Sequence, residues 1–85
     1  MAYAVVLRPA AERERRNLSP DLRPHINRAI LGLENDPRPS GAVKPTGHQR
    51  RWRLRVGDYR ILYEVDDTSR QVLITRIAHR REVYR

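Results

Sequence analysis

A strict two-residue alternation just after position 50 is the feature that most limits how this 85-residue chain can fold. Apolar residues at positions 52, 54 and 56 alternate with arginines at 51, 53 and 55, and a second apolar-rich stretch runs from 59 to 65. Between them lies Gly57-Asp58, which suits a two-residue turn because glycine can adopt a positive φ. The pattern predicts a β-hairpin with one apolar face and one arginine face.

The turn also fixes the register of this predicted hairpin. The facing pairs are Val56 with Tyr59, Arg55 with Arg60, Leu54 with Ile61, Arg53 with Leu62, Trp52 with Tyr63 and Arg51 with Glu64. Because side chains alternate between faces, the apolar pairs should pack under other elements. The same alternation brings Arg53, Arg55 and Arg60 together on the uncovered face.

The rest of the chain predicts two helices and two further strands. Pro9 and the pair Ser19-Pro20 are typical of helix starts, and apolar residues from Leu22 to Leu33 recur at helical spacing. The predicted segments are a strand at 3–8, helices at 9–18 and from 19 up to 36, a loop at 42–49, a polar turn at 66–70 and a strand at 72–78. This order predicts one α+β domain, residues 1–85, in which an N-terminal strand and a helical hairpin precede a three-stranded antiparallel meander. The helices should pack on one face of the sheet.

The charge of the chain indicates a polyanionic partner. Eighteen basic residues against 10 acidic ones give a net charge of +8, and 17 of the 18 are arginine. Residues 44–85 carry 11 basic and 5 acidic residues, a net of +6, so the excess lies mainly in the C-terminal half. An arginine-rich proteome would explain the ratio of arginine to lysine, but it would not explain the net charge.

The composition also narrows the setting. The chain has no cysteine and no apolar run long enough to span a membrane, and its apolar stretch at 3–7 is too short for a signal peptide. We therefore expect a cytoplasmic protein that makes no membrane contact. His25 and His48 show no spacing typical of a metal site, so we expect neither a metal nor another cofactor.

Two arginines of the predicted arginine face stand directly opposite each other. Arg55 opposite Arg60 is a like-charge pair, which costs up to ~1 kcal/mol. A solvated basic surface is one interpretation of this face, and a binding site for phosphate is the other. The C-terminal tail adds His79, Arg80, Arg81 and Tyr84 next to it. Such a set suits phosphodiester cleavage by a ribose 2′-hydroxyl, in which a base takes the hydroxyl proton, arginines stabilise the extra charge and an acid protonates the leaving 5′-oxygen.

Two segments resemble a known family. The run from Trp52 to Val65 closely resembles the central hairpin of RelE/ParE-superfamily toxins, and the ending from Ile77 to Arg85 resembles the terminus of the RelE branch. The resemblance implies the toxin of a type II toxin–antitoxin pair with a microbial-ribonuclease-like α+β fold. Such toxins cut messenger RNA in the ribosomal A site by metal-independent 2′-hydroxyl attack. The implied partners are a cognate antitoxin protein, the ribosome and messenger RNA.

The resemblance also implies roles for residues of the hairpin. Arg53 and Arg55 occupy the positions of phosphate-binding residues, and Arg60 matches a catalytic arginine. Arg51 and Lys44 complete the predicted phosphate-binding set. Well-studied relatives carry lysine in place of Arg53 and Arg55. Since arginine keeps its proton, electrostatic stabilisation is favoured over proton transfer at these two positions.

The tail carries the implied proton chemistry. Arg80 or Arg81 matches an arginine that supports catalysis, and Tyr84 matches the residue proposed as the base. Histidine is a residue type that commonly exchanges protons in catalysis, so His79 is the alternative partner. Which of Tyr84 and His79 acts as the base stays open.

Two other functions fit the same fold. A ParE-like inhibitor of DNA gyrase would bind its target without nuclease chemistry, and it has no need of the combined set Arg53, Arg55, Arg60, His79 and Tyr84. A catalytically degenerate member would bind only an antitoxin or nucleic acid, for which basic charge suffices.

Overall fold

The computed structural model describes residues 2–47 and 50–83, and in this part of the chain two helices cover one face of a five-stranded sheet. The elements are β1 (Ala4–Leu7), α1 (Pro9–Arg16), α2 (Arg23–Asn35), β2 (Ala42–Val43), β3 (Trp52–Val56), β4 (Tyr59–Asp66) and β5 (Gln71–His79). The predicted α+β class and the predicted meander of β3, β4 and β5 are confirmed.

The strand order is β1-β5-β4-β3-β2, with β1 parallel to β5 and all other neighbours antiparallel. The hairpin register is the predicted one at all five pairs from Trp52 with Tyr63 to Val56 with Tyr59. The ladder begins at Trp52, so the sixth predicted pair, Arg51 with Glu64, is not part of it. The parallel contact between the first and the last strand was not predicted, because strand periodicity carries no information about distant partners.

The expected loop at 42–49 was wrong at its start. Ala42 and Val43 form β2, which pairs with Leu54 and Arg53 at the edge of the sheet. Two residues are too few to show the alternation of a strand. The preceding Gly41, which has a φ of 95°, is also a residue type typical of turns, so the segment resembles a loop in the sequence. The consequence for the site is that β3 is an inner strand.

The second helix begins later than its capping signal indicates. Ser19 forms a separate turn, in which its carbonyl oxygen accepts the Leu22 N–H at 3.1 Å, and α2 starts only at Arg23. Pro24 then lies in the first turn, where a missing N–H costs nothing because that donor has no partner within the helix. The signal marked a turn that leads into the helix.

The core lies between the helices and the apolar face of the sheet. Its fully buried side chains come from both layers and include Ala11, Ile26, Leu33, Ile61, Tyr63, Val72, Ile74 and Ile77. The predicted inward residues of the hairpin, Trp52, Leu54, Val56 and Tyr59, pack against this cluster. The apolar face of the hairpin is therefore covered as expected.

A polar network ties the segment after α2 to the turn between β4 and β5. Asp67 accepts hydrogen bonds from the Tyr3 hydroxyl at 2.6 Å and from the Arg38 guanidinium at 2.5 Å. The hydrogen bond from Arg38 is the largest cause that lowers the pKa of Asp67. Arg38 also lies 5.6 Å from the centre of the Trp52 ring, a distance typical of a cation–π contact. This network holds the chain between α2 and β2 against the far end of the sheet.

Tyr63 gives a first testable prediction. Its hydroxyl donates to the Pro37 carbonyl at 2.9 Å inside the core, and burial raises its pKa to about 12. The neutral side chain is therefore favoured in the folded state, so its contribution to stability should be complete below pH ~10 and should be lost as the pH rises toward 12. Tyr63→Phe should destabilise the protein at neutral pH by about 1–3 kcal/mol, because the Pro37 carbonyl loses its partner.

Urea unfolding at pH 7, 10 and 11.5, followed by Trp52 fluorescence, checks this prediction. Stability of the wild type should fall between pH 10 and 11.5 by more than that of Tyr63→Phe. Equal pH dependence in the two proteins would contradict the assignment of the raised pKa to Tyr63.

Candidate nucleic-acid interface

Arg53, Arg55 and Arg60 lie together on the sheet face opposite the main core, and we call these three residues the arginine face. Arg55 and Arg60 are direct partners across β3 and β4. Arg53 is two residues from Arg55 and therefore lies on the same side of the sheet. Arg53 and Arg60 are half-buried, whereas Arg55 is exposed. The predicted grouping of these arginines on one face is confirmed.

The like-charge pair shares a backbone acceptor at the tip of the hairpin. The Gly57 carbonyl oxygen accepts hydrogen bonds from Arg55 Nε at 3.1 Å and from Arg60 Nη1 at 3.4 Å, and Arg60 Nη1 also donates to the Tyr59 carbonyl at 3.0 Å. Hydrogen bonds from charged donors contribute about 1.5–3 kcal/mol when buried and less at an exposed site such as this. They offset the repulsion between the two guanidinium groups, which is at most ~1 kcal/mol.

No carboxylate completes this pair within the described part of the chain. The ion pairs formed among residues 2–47 and 50–83 include neither Arg55 nor Arg60. The two guanidinium groups thus keep their full positive charge, while the neutral carbonyls of Gly57 and Tyr59 occupy only some of their N–H donors. Such a pair is suited to an external anion, and phosphate matches the fork geometry of arginine.

The C-terminal tail folds onto the same face. After β5 the chain turns, with the Glu82 and Val83 amides donating to the His79 carbonyl at 2.8 and 3.1 Å. Val83 packs against Leu62 and Ala78 in a second, smaller apolar cluster on the side of the arginine face. This anchor was not predicted, since a lone valine among charged residues shows no periodicity.

His79 lies on the opposite side of the sheet from the arginine face. It pairs with Tyr59, and the two rings meet edge to face with centroids 5.5 Å apart and an interplanar angle of 82°. Strand alternation therefore puts the His79 ring on the side that packs under the helices, whereas Arg60 points the other way. The Nδ1 atom of His79 accepts the Arg81 amide at 3.2 Å, so this side chain supports the turn of the tail.

The other predicted site residues surround the arginine face less closely. Arg80 and Arg81 are exposed in the turn after β5, and the Arg80 amide donates to the Asp58 carbonyl at 2.8 Å, which joins the tail to the hairpin tip. Arg51 and Lys44 are exposed, just before β3 and just after β2. Tyr84 lies outside the described residues, so its proposed role stays a prediction.

One further arginine on this side of the sheet was not predicted. Arg76 pairs in register with Leu62, which puts it on the side of the arginine face, but its guanidinium binds Glu14 of α1 at 3.1 Å. Glu14 also accepts the Ile77 amide at 2.8 Å, on the part of β5 that extends beyond β1. The register shifts between Leu62 and Tyr63, so Thr75 has no residue directly opposite it in β4, although its hydroxyl donates to the Leu62 carbonyl at 3.2 Å. A simple alternation along β5 therefore puts Arg76 on the wrong side of the sheet. Its carboxylate partner makes Arg76 a structural residue.

Charge is distributed unevenly along the strands on this side of the sheet. Glu64 and Asp66 pair with Leu73 and Gln71, on the same side as Arg60 but toward the other end of β4. Glu64 lies four positions along the strand from Arg60, a distance of about 13 Å. The carboxylates of β4 thus lie away from the hairpin tip, so Arg60 at the tip is the part of this strand that attracts a polyanion.

The described part of the chain offers neither a metal site nor a membrane-spanning helix. In residues 2–47 and 50–83 no group of three or more histidine, aspartate or glutamate side chains could hold a metal ion. Neither described helix is long and apolar enough to cross a membrane.

Comparison with known proteins identifies the class. A sequence model described as the ParE toxin of a type II toxin–antitoxin system, parDE, matches residues 5–84. The chain therefore belongs to the ParE toxin family, and it is a toxin of the type II toxin–antitoxin class. Toxin RelG of Mycobacterium tuberculosis (strain ATCC 25618 / H37Rv) is 30% identical to it over 86 residues, covering 100% of this chain and 99% of that protein.

Solved structures agree with this assignment. The toxin–antitoxin complex RelBE2 of Mycobacterium tuberculosis contains a chain that matches with a TM-score of 0.82 and 25% identity, over 93% of this chain and 99% of that one. The isolated E. coli RelE toxin matches with a TM-score of 0.80 and 24% identity, over 98% and 92% of the two chains. The archaeal RelE–RelB complex from Pyrococcus horikoshii OT3 contains a chain that matches with a TM-score of 0.80 and 23% identity, over 98% of this chain and 100% of that one. The last two likenesses concern the fold alone, and the expected RelE/ParE fold is confirmed.

Proposed function

We propose that this toxin cleaves messenger RNA on the ribosome and that the arginine face binds the scissile phosphate. The observation that carries the proposal is the pair Arg55 and Arg60, whose guanidinium groups converge on one carbonyl oxygen and have no carboxylate partner among the described residues. Arg53 adds a third positive charge on the same side of the sheet. The resemblance of the hairpin and the tail to RelE-like toxins supports the same function.

In the proposed reaction the ribose 2′-oxygen forms a bond to phosphorus and the bond from phosphorus to the 5′-oxygen breaks. The 2′-hydroxyl proton passes to a base, and the 5′-oxygen receives a proton from an acid. The pentavalent transition state carries one more negative charge than the ground state. Permanently charged arginines stabilise that charge without needing to exchange protons, which is the role we assign to Arg53, Arg55 and Arg60.

The proton chemistry is assigned to the tail. Tyr84 is our proposed base, and Arg80 or Arg81 supports the leaving oxygen. His79 stays the alternative base, although its ring contacts Tyr59 on the side of the sheet opposite the arginine face. A pH–rate profile of His79→Gln distinguishes the two, since loss of a histidine base would remove one ionisation step from the profile, whereas loss of a residue with no part in proton transfer would leave the shape of the profile unchanged.

We also propose that an antitoxin neutralises this protein. Several similar structures are complexes of a RelE toxin with a RelB antitoxin, and the ParE family is defined by its toxin–antitoxin pairing. A partner that covers the arginine face would have to supply acidic groups, because burying these guanidinium groups without a counterion is costly.

The decisive experiment is induced expression followed by primer extension on ribosome-bound transcripts. We expect new 5′ ends within translated regions, and we expect purified protein to produce the same ends on programmed ribosomes. The second candidate, a gyrase inhibitor, is favoured by the parDE description of the family model. Growth arrest with intact transcripts and induced DNA damage would overturn the nuclease proposal in favour of that candidate.

A further inference from the structure

The two residues of the turn between β3 and β4 accept hydrogen bonds from three arginines of the candidate site. The Gly57 carbonyl receives the side chains of Arg55 and Arg60, and the Asp58 carbonyl receives the backbone amide of Arg80. Two successive carbonyl groups thus bind residues of β3, of β4 and of the C-terminal tail. No side chain of the turn takes part in these contacts, so the position of both acceptors depends on the backbone conformation of Gly57-Asp58.

That conformation is one of two that a two-residue hairpin turn commonly adopts. Gly57 has a φ of 60°, and Arg70 is the only non-glycine residue with a positive φ among residues 2–47 and 50–83. Asp58 therefore has a negative φ. A type I′ turn needs a positive φ at both central residues, whereas a type II′ turn needs it at the first residue only. Of these two types, only type II′ matches the φ values of Gly57 and Asp58.

The type of turn decides where the Gly57 carbonyl points. Types I′ and II′ share the first φ, but their ψ at the first residue differs by about 150°, which turns the central peptide over. Both types keep the strands in the same register, so Arg55 and Arg60 would remain opposite each other in either. Only one orientation directs the Gly57 oxygen toward their side chains.

We propose that the type II′ turn at Gly57-Asp58 is a positioning element of the phosphate site. Its Gly57 carbonyl holds Arg55 and Arg60 side by side, so that their free N–H groups present one combined surface to a phosphate. Its Asp58 carbonyl fixes the start of the tail beside them. The identification of the ligand as RNA phosphate rests on the proposed function, but the positioning role does not depend on cleavage.

The test reverses the turn without changing the strands. The double variant Gly57→Asn with Asp58→Gly introduces Asn-Gly, the pair that most strongly favours type I′. We expect an unchanged fold and register, seen as conserved cross-strand amide contacts by NMR. Titration with inorganic phosphate, followed through the Nε–Hε resonances of Arg55 and Arg60, should show an affinity lowered about ten-fold or more. On programmed ribosomes kcat should fall about 10- to 100-fold with little change in KM, because misplacement of reacting groups affects the chemical step.

The matched control is Asp58→Asn, which removes the same carboxylate but keeps glycine first in the turn. Since it also removes a negative charge, this variant should bind phosphate no more weakly than the wild type. Wild-type phosphate affinity in the Asn-Gly variant would overturn the proposal, and so would a lowered affinity with an unchanged kcat. If the wild type does not cleave RNA, the proposed function fails, and the phosphate titration alone decides the positioning role.

A measurement on the wild type keeps the inference testable if the double variant does not fold. Arg55 Hε is bonded to the Gly57 oxygen, so its exchange with solvent should be slower than that of Arg28 Hε on the exposed side of α2. Addition of phosphate should shift Arg55 and Arg60 together and leave Arg28 unchanged. Equal exchange rates for Arg55 and Arg28, or no response of the pair to phosphate, would contradict the proposal.

Discussion

Arg60→Ala should lower RNA cleavage about 100- to 1,000-fold while the protein remains folded. Arg60 is half-buried at the centre of the arginine face, opposite Arg55, and its charge is not shared with any carboxylate among the described residues. A single preorganised donor to a developing negative charge is worth two to three orders of magnitude in kcat. The measurement is the rate of cleavage of ribosome-bound messenger RNA by purified protein, together with growth after induction.

The matched control for this prediction is Arg28→Ala, which removes the same charge from the exposed side of α2. If cleavage depends only on general attraction to RNA, the two variants should lose similar activity. A rate for Arg60→Ala within about three-fold of that for Arg28→Ala would exclude a specific role, since long-range attraction is screened at physiological salt.

Two further variants define how Arg60 acts. Arg60→Lys keeps the charge but loses the planar fork, so its activity should lie between those of the wild type and the alanine variant. Arg60→Ala combined with Tyr84→Ala should abolish growth arrest and leave antitoxin binding intact. A changed circular dichroism spectrum or a lowered urea midpoint in the double variant would mean that the fold, and not the chemistry, had been damaged.

Leu33→Ala should have the largest effect on stability, with a loss of about 2–5 kcal/mol in the free energy of unfolding. The Leu33 side chain is fully buried where α2 meets the sheet, so its removal leaves a cavity. Domains of this size have about 5–15 kcal/mol of stability in total, so the variant would lose a large part of it. Urea unfolding followed by the fluorescence of Trp52 measures the change.

The same helix offers a matched control two residues away. Leu31 is 60% exposed, and Leu31→Ala should change the free energy of unfolding by less than about 0.5 kcal/mol. Similar effects of the two substitutions would mean that α2 presents a different face to the sheet.

The sequence by itself determined the central hairpin and the grouping of its arginines. The turn at Gly57-Asp58 and the alternation on both sides of it are local signals, and a two-residue turn leaves only one register in which the apolar residues share a face. For that reason all five pairs from Trp52 with Tyr63 to Val56 with Tyr59 follow from the order of the residues alone. The resemblance to RelE/ParE toxins depends largely on this same segment.

Only the tertiary structure decided which elements meet the hairpin and from which side. Two of these contacts join residues that are distant in sequence, namely the parallel pairing of β1 with β5 and the packing of Val83 on Leu62. The edge strand β2 has only two residues, which are too few to show a period. The register of β5 decides on which side of the sheet His79 lies. Simple alternation along β5 would put it on the other side, because a bulge at Thr75 shifts the register.

The arginine face shows both contributions. Alternation along two strands brought Arg55 opposite Arg60, but it could not show what relieves their repulsion. The Gly57 carbonyl does so, and its direction depends on a single backbone torsion in the turn, which residue pattern alone does not fix. Side-chain periodicity determines which groups share a surface, whereas the hydrogen bonds that orient those groups depend on the backbone conformation that the folded chain adopts.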